Sequence, residues 1–245
     1  MAIGVIVSAR LPSNVLLVHV HVAFTPGEAA PVPTGIVVDV LRATSSVVQA
    51  LDSGYQAVFC CSEIEDALDL KDELKDAVLA GERGSGAIPG FELGNSPREF
   101  LVPSASTLVL TTTNGTRALV TAAADCDVVL AGSLLNLEAV AEAAAKRGKD
   151  VEVVCAGVGG EFTPDDAYCA GRIVELLGGE RTEAAQEAVR LAHSFANAED
   201  AFRQARAVGE TISEEDLRWC ARESVTAVVP RLTGMRGPAA ELRPS

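Results

Sequence analysis

The chain has 245 residues, with 34 acids against 20 bases and a formal net charge of −14, which excludes a generally basic, nucleic-acid-binding surface. Hydrophobic residues make up 48% and aromatics 4%, enough apolar mass for a packed core and too much for a disordered chain. Arginine carries most of the positive charge, because only four lysines are present.

The N-terminal MAIGVIVSARLPSN has neither a basic leader nor an apolar run long enough for a signal peptide or a membrane span, so a cytoplasmic location without membrane contact is expected. LLVHVHVAF (16–24) and GIVVDV (35–40) read as strands, and TSSVVQALDSG (44–54) as a helix stopped by Gly54. YQAVFCC (55–61) reads as a strand. Ser62 is the expected cap of the helix EIEDALDLKDELK (63–75), whose Glu63, Glu65 and Asp66 suit the positive helix end. AVLAG (77–81) is a short strand followed by a glycine-rich polar loop, 81–97. LVL (108–110) runs through TTTNGTR (111–117) into a helix. DVVLAG (127–132) is a strand, Ser133 a cap, and LNLEAVAEAAAKRG (135–148) a helix. VEVVCAG (151–157) is a strand whose polar turn, GVGGEFTPDD (157–166), opens the helix AYCAGRIVELLG (167–178). GMRGPAAELRPS (234–245) reads as a loose tail.

Strands alternating with helices predict an α/β fold: three α/β/α layers around a largely parallel or mixed sheet. An internal duplication is also suggested. Ser62 and Ser133 each follow a strand and open a helix; LAGERG (79–84) echoes CAGVGG (155–160); VVDVLRATSSVVQAL echoes LVLTTTNGTRALVTA. The half-units span about 35–105 and 106–178. The six cysteines, at 60, 61, 126, 155, 169 and 220, form no CxxC pair and no zinc-ligand spacing, and read as buried thiols in a reducing compartment.

In open α/β sheets, ligands bind beyond the carboxyl ends of strands, and four turns there are unusually polar. In VVDVLRATSS, Asp39 interrupts an apolar strand and needs a partner or a metal, with Arg42, Thr44 and Ser45 nearby; an Asp–Arg pair with a helix cap is the plainer reading. GERGSGAIPGFELGNSPREF sets Glu82 and Arg83 between glycines and adds Asn95 and Ser96; the plainer reading is a flexible surface loop. Asn114, Gly115 and Thr116 can form an anion nest with Arg117 as a forked donor, or simply a capped turn. Glu161, Asp165 and Asp166 offer oxygens that suit Mg²⁺, or merely complement a helix start at Pro164. Together the turns suit a highly charged anionic substrate bridged by a divalent metal.

There is no P-loop, no third glycine to complete a GxGxxG, no cysteine-phosphatase motif and no paired aspartates of the usual aspartyl-phosphatase type. His19, His21 and His193 suggest no histidine catalysis.

VVDVLRATSSVV, GERG with FELGNSP, TTTNGTRAL, GSLLN and GEFTPDDAYCAG, in that order over roughly residues 35–172, resemble the 2-phosphosulfolactate phosphatase family. DLRWCARESVTAVVPRL resembles that family's C-terminal segment. The resemblance implies a Mg²⁺-dependent phosphoric monoester hydrolase that converts 2-phospho-3-sulfolactate to 3-sulfolactate and phosphate, a step of coenzyme M biosynthesis in organisms that make it. It implies catalytic roles for Asp39, Arg42, Glu82, Arg83 and Arg117, and substrate contacts from Thr44, Ser45, Asn95, Ser96, Asn114, Gly115, Thr116 and Asn136. Asp39, Glu161 and Asp166 are the implied metal ligands, with Asp165 standing where the family's usual pattern has glutamate.

It further implies residues 1–14 as an N-terminal extension, 15–235 as one phosphatase domain and 236–245 as a tail. The expected mechanism is attack by a metal-bound or carboxylate-oriented water, with a phospho-aspartate on Asp39 as the rival. A phosphatase for another phosphorylated 2-hydroxy acid, and a non-catalytic binder of anionic metabolites, are the alternative functions. The expected partner is a small anionic phosphorylated metabolite, with neither nucleic acid nor membrane, and a homodimer is expected from common symmetry.

Overall fold

A computed structural model describes residues 18–84, 86–206 and 212–245. The extension expected at residues 1–14 lies outside the described residues. The strands are β1 (His19–Ala23), β2 (Val32–Val38), β3 (Ala57–Cys61), β4 (Ala77–Arg83), β5 (Gly86–Ala87), β6 (Thr107–Thr111), β7 (Cys126–Gly132), β8 (Val151–Cys155), β9 (Glu180–Arg181), β10 (Pro230–Arg236) and β11 (Ala239–Pro244). The helices are α1 (Ala43–Asp52), α2 (Ile64–Glu73), α3 (Gly115–Asp125), α4 (Leu137–Ala145), α5 (Pro164–Leu176), α6 (Glu183–Ser194), α7 (Ala198–Arg206) and α8 (Glu214–Cys220).

The strands form one mixed sheet in the order β5-β4-β6-β3-β11-β10-β7-β2-β8-β1-β9, layered α/β/α. Side chains alternate across a strand, and the alternation selects the layers. Val37, Val58, Leu108 and Leu110 join α1 and α3 on one face. On the other, Ile36, Val38 and Val153 pack with α4 and α5, and Phe59, Leu79 and Val109 pack with α2. β2 and β8 are covered on both faces, so they are near-continuous apolar runs.

The sheet order has an internal echo. β6 runs parallel between β3 and β4, and β2 runs parallel between β7 and β8. Each stretch β–α–β–α–β therefore sets its first strand between the second and third strands of the other. This interleaving brings the turns after β2, β4, β6 and β8 to one place.

The expected loose tail at 234–245 is not one. Residues 230–244 form a hairpin inserted in the seam, with β11 antiparallel to β3 and β10 antiparallel to β7. Ala239, Ala240 and Leu242 are buried. The proline and charged residues that suggested a tail flank these few core positions. The expected Ser62 cap is also displaced: Glu63 precedes the first turn of α2, and the Ser62 carbonyl accepts a bond from Arg83. Five of the six cysteines are buried, and burial pushes the Cys61 and Cys220 thiols up to about 12. Among the described residues, no helix is long and apolar enough to cross a membrane.

Candidate active site

A narrow cleft opens where the four turns meet. Its wall includes Asp39, Arg42, Glu82, Asn95, Asn114 and Asp166, all singled out from the sequence. Leu41, Thr112, Gly157, Val158, Thr163 and Asp165 complete it.

The turns after β2 and β6 are built alike. The Asp39 amide donates to the Thr44 hydroxyl at 3.0 Å, and that hydroxyl donates back to the Asp39 carbonyl at 2.9 Å. The Thr112 amide donates to the Thr116 hydroxyl at 3.1 Å, which returns a bond to the Thr112 carbonyl at 3.0 Å. Thr44 and Thr116 are thus spent on holding the turns; both are fully buried and neither lines the cleft. Ser45 is likewise buried and bonds the Val40 carbonyl. These hydroxyls are bonded to the backbone of their own turns, because a helix start supplies strong backbone acceptors close by.

Asp39 is nearly buried, and its Oδ1 accepts the Ala43 amide at 3.1 Å. α1 and α3 meet at their first residues. A Cβ on Gly115 would lie 2.4 Å from Asp39 Oδ2 and 2.4 Å from Ala43 Cβ, so only glycine lets α3 start this close. Gly115 thereby serves the site through packing. Glu82 is oriented by the Thr113 amide at 2.7 Å and the Thr113 hydroxyl at 3.0 Å. Asn114 Oδ1 accepts the Gly159 amide at 3.1 Å, tying two walls together.

The acidic wall comes from the start of α5. Asp166 accepts the Val40 amide on Oδ1 at 2.8 Å and the Gly157 amide on Oδ2 at 3.0 Å. Burial, then the charges of Asp165 and Asp39, hold its carboxyl well above the usual carboxylate range. Asp165 is also raised, chiefly by burial. Two buried side-chain oxygens in this cleft have no hydrogen-bond partner among the described residues: Asp165 Oδ1 and Asn95 Oδ1. A buried acceptor left unmet is costly, so these atoms mark where a ligand's donor or a cation belongs.

Several expected site residues stand elsewhere. Arg83 is held by the Ser62 carbonyl at 2.6 Å and the Thr111 hydroxyl at 2.7 Å, beside the cleft and not in its wall. Arg117 pairs with Glu63 at 2.9 Å, and both side chains are more than half exposed. It sits one helical position beyond the packed start of α3, on the solvent side. Glu161 is exposed on a turn bridged to Val158 and does not line the cleft. Asn136 is buried and caps its own turn, accepting the Ser133 amide and donating to the Ala131 and Val228 carbonyls. Because an exposed ion pair is worth little, Arg117→Ala is expected to leave kcat/KM within about two-fold of wild type in steady-state assays. A hundred-fold loss would return Arg117 to the cradle.

Asp216, unnoticed in the sequence, stands behind the cleft. It is buried on α8, accepts from Arg42 Nη1 at 2.7 Å and Ser96 Oγ at 2.5 Å, and has Arg98 at 4.0 Å. Its signal was ambiguous, because an acid in a helix's first turn usually complements the dipole. Ser96 therefore acts from the second layer, bonded to Asp216.

Among the described residues, no group of three or more His, Cys, Asp or Glu is arranged as a metal cage. Mg²⁺ needs less, since it keeps water and commonly takes one or two carboxylates plus a substrate phosphate. Asp39, Glu82, Asp165 and Asp166 are the wall carboxylates that could hold such an ion, with Glu161 outside.

The family model for 2-phosphosulpholactate phosphatase matches residues 22–235. The 2-phosphosulfolactate phosphatase of Methanothermobacter thermautotrophicus is 39% identical over 80% of this chain and 84% of its own length. The probable 2-phosphosulfolactate phosphatase of Thermus thermophilus is 37% identical over 90% of this chain and 97% of its own. A probable enzyme of the same name from Caldanaerobacter subterraneus is 46% identical over 58% of this chain and 60% of its own.

Proposed function

We propose a reaction from one premise: the chain belongs to the 2-phosphosulfolactate phosphatase family. The reaction is hydrolysis of 2-phospho-3-sulfolactate to 3-sulfolactate and inorganic phosphate. The observation that carries the reading is the pair of buried, unpartnered oxygens, Asp165 Oδ1 and Asn95 Oδ1, in a cleft walled by four carboxylates and one arginine. Such a wall repels a substrate with roughly four negative charges unless a cation is taken up with it.

Mg²⁺, held by Asp39 and Asp165 together with water, would neutralise the phosphoryl oxygens. Asp39, fixed by the Ala43 amide, orients the attacking water and accepts its proton. The new P–O bond forms as the bond to the C2 oxygen breaks, and that oxygen leaves as the hydroxyl of sulfolactate after taking a proton from solvent. Asp166 does not titrate in this scheme; it clamps the β2 and β8 turns through two backbone amides. Phosphoryl transfer needs positioning and charge stabilisation more than covalent help, which is what these rigid turns supply.

Two measurements test the reading. Phosphate release from racemic 2-phosphosulfolactate should require Mg²⁺, stop with EDTA and exceed release from phospholactate. Release from phospholactate alone would keep the chemistry and replace the substrate. In the absence of substrate, millimolar Mg²⁺ should raise the melting temperature, and Asp165→Asn should remove most of that shift. No shift in the wild type would remove Mg²⁺ from Asp39 and Asp165.

A further inference from the structure

The wall of the cleft contains a single cationic side chain, Arg42, among the described residues. Its guanidinium is mostly buried, and it donates to Asp216, 174 residues along the chain. A guanidinium has five N–H donors in a rigid fork, and the bond to Asp216 engages one nitrogen of it. The other oxygen of Asp216 is bonded by Ser96, the neighbour of Asn95, whose own side chain lines the cleft. One buried carboxylate therefore fixes two separate parts of the wall: the β2–α1 turn through Arg42 and the 95–98 loop through Ser96.

We propose that Asp216 is a positioning residue that holds Arg42 and the Asn95–Ser96 loop as the receptor for the non-reacting anionic end of the substrate, its sulfonate-bearing arm. The inference rests on the phosphatase reading, in which the reacting phosphoryl group lies at the carboxylate end with Asp39 and Asp165. The remaining anion must then meet the fixed donors. A strongly hydrated sulfonate loses its water on entering and needs charge-assisted hydrogen bonds in return. Arg42 alone would be a mobile chain, free to fold onto Asp39 or Glu82 and cancel the site's own carboxylates. Asp216 prevents this. It satisfies part of the fork from behind and leaves the remaining donors at a set position.

This assigns a function to the C-terminal third of the chain. α8 does not line the cleft, yet it carries the residue that sets the one arginine in its wall among the described residues.

Titration calorimetry of wild type and Asp216→Asn with 3-sulfolactate and, separately, with inorganic phosphate tests the proposal without turnover. The expected result is an about 10- to 100-fold weaker 3-sulfolactate Kd, the size of one lost charge-assisted hydrogen bond, with phosphate binding unchanged. Ser96→Ala, which removes one bond to Asp216 and keeps the ion pair, should shift 3-sulfolactate binding in the same direction by less. It serves as the probe if Asp216→Asn does not fold. Equal losses for both ligands, no loss for either, or a wild type that fails to bind 3-sulfolactate would overturn the proposal. Absence of phosphate release from 2-phosphosulfolactate, measured separately, would instead overturn the reaction and leave the binding result standing.

Discussion

Asp39→Asn is expected to lower kcat/KM by about 10³-fold with the fold intact, the usual scale for losing a positioned general base. The substitution keeps the shape of the side chain. It also keeps an oxygen able to accept the Ala43 amide, so α1 should still start where it does. What disappears is the negative charge, and with it, on the proposed mechanism, both the proton acceptor and one of the two proposed Mg²⁺ ligands. Melting temperature and circular dichroism should stay close to wild type while phosphate release collapses. A variant with a tenth or more of wild-type kcat/KM would remove Asp39 from the chemistry. Borohydride treatment during turnover separates the two mechanisms: a phospho-aspartate is reduced to homoserine at position 39, whereas direct attack leaves Asp39 unmodified.

Deleting residues 237–245 is expected to leave no folded protein. β11 stands between β3 and β10, near the middle of an eleven-stranded sheet. Removing it strips Ala239, Ala240 and Leu242 from the core and unpairs β3 along Val58, Phe59 and Cys60. Loss of the buried leucine alone is worth about 2–5 kcal/mol, a large share of a domain's usual 5–15 kcal/mol. The hairpin also closes the seam between the two parts of the sheet, so the cleft would lose its frame. Soluble yield, gel filtration and circular dichroism check this. A truncated chain with the wild-type melting temperature would show that the seam closes without its last strand.

The same contrast divides the site residues. Asp39, Arg42, Glu82, Asn95 and Asn114 were legible because they gather in polar turns that directly follow apolar strands. Arg117 and Glu161 carried the same kind of signal, yet both are exposed. A sequence shows that a residue lies in a turn, but one helical step decides whether it faces the cleft or water. Arg83 lies beside the cleft wall, where the Ser62 carbonyl and the Thr111 hydroxyl engage one of its guanidinium nitrogens, a placement that depends on contacts 21 and 28 residues away along the chain. Asp165 was legible as one of three acids near a helix start, and its unpartnered oxygen emerges only once that helix start is buried.

By itself the sequence determined the α/β class, the strand–turn–helix units, the family and the four polar turns, because all of these depend on local periodicity and on short motifs read along the chain. Tertiary structure alone decided the exchange of first strands between the two halves, the insertion of the C-terminal hairpin in the seam, and the pairing of Arg42 with Asp216. Those depend on contacts between residues far apart in sequence, where β-pairing partners and the direction of a side chain are chosen by which arrangement buries the most apolar surface while meeting every buried charge.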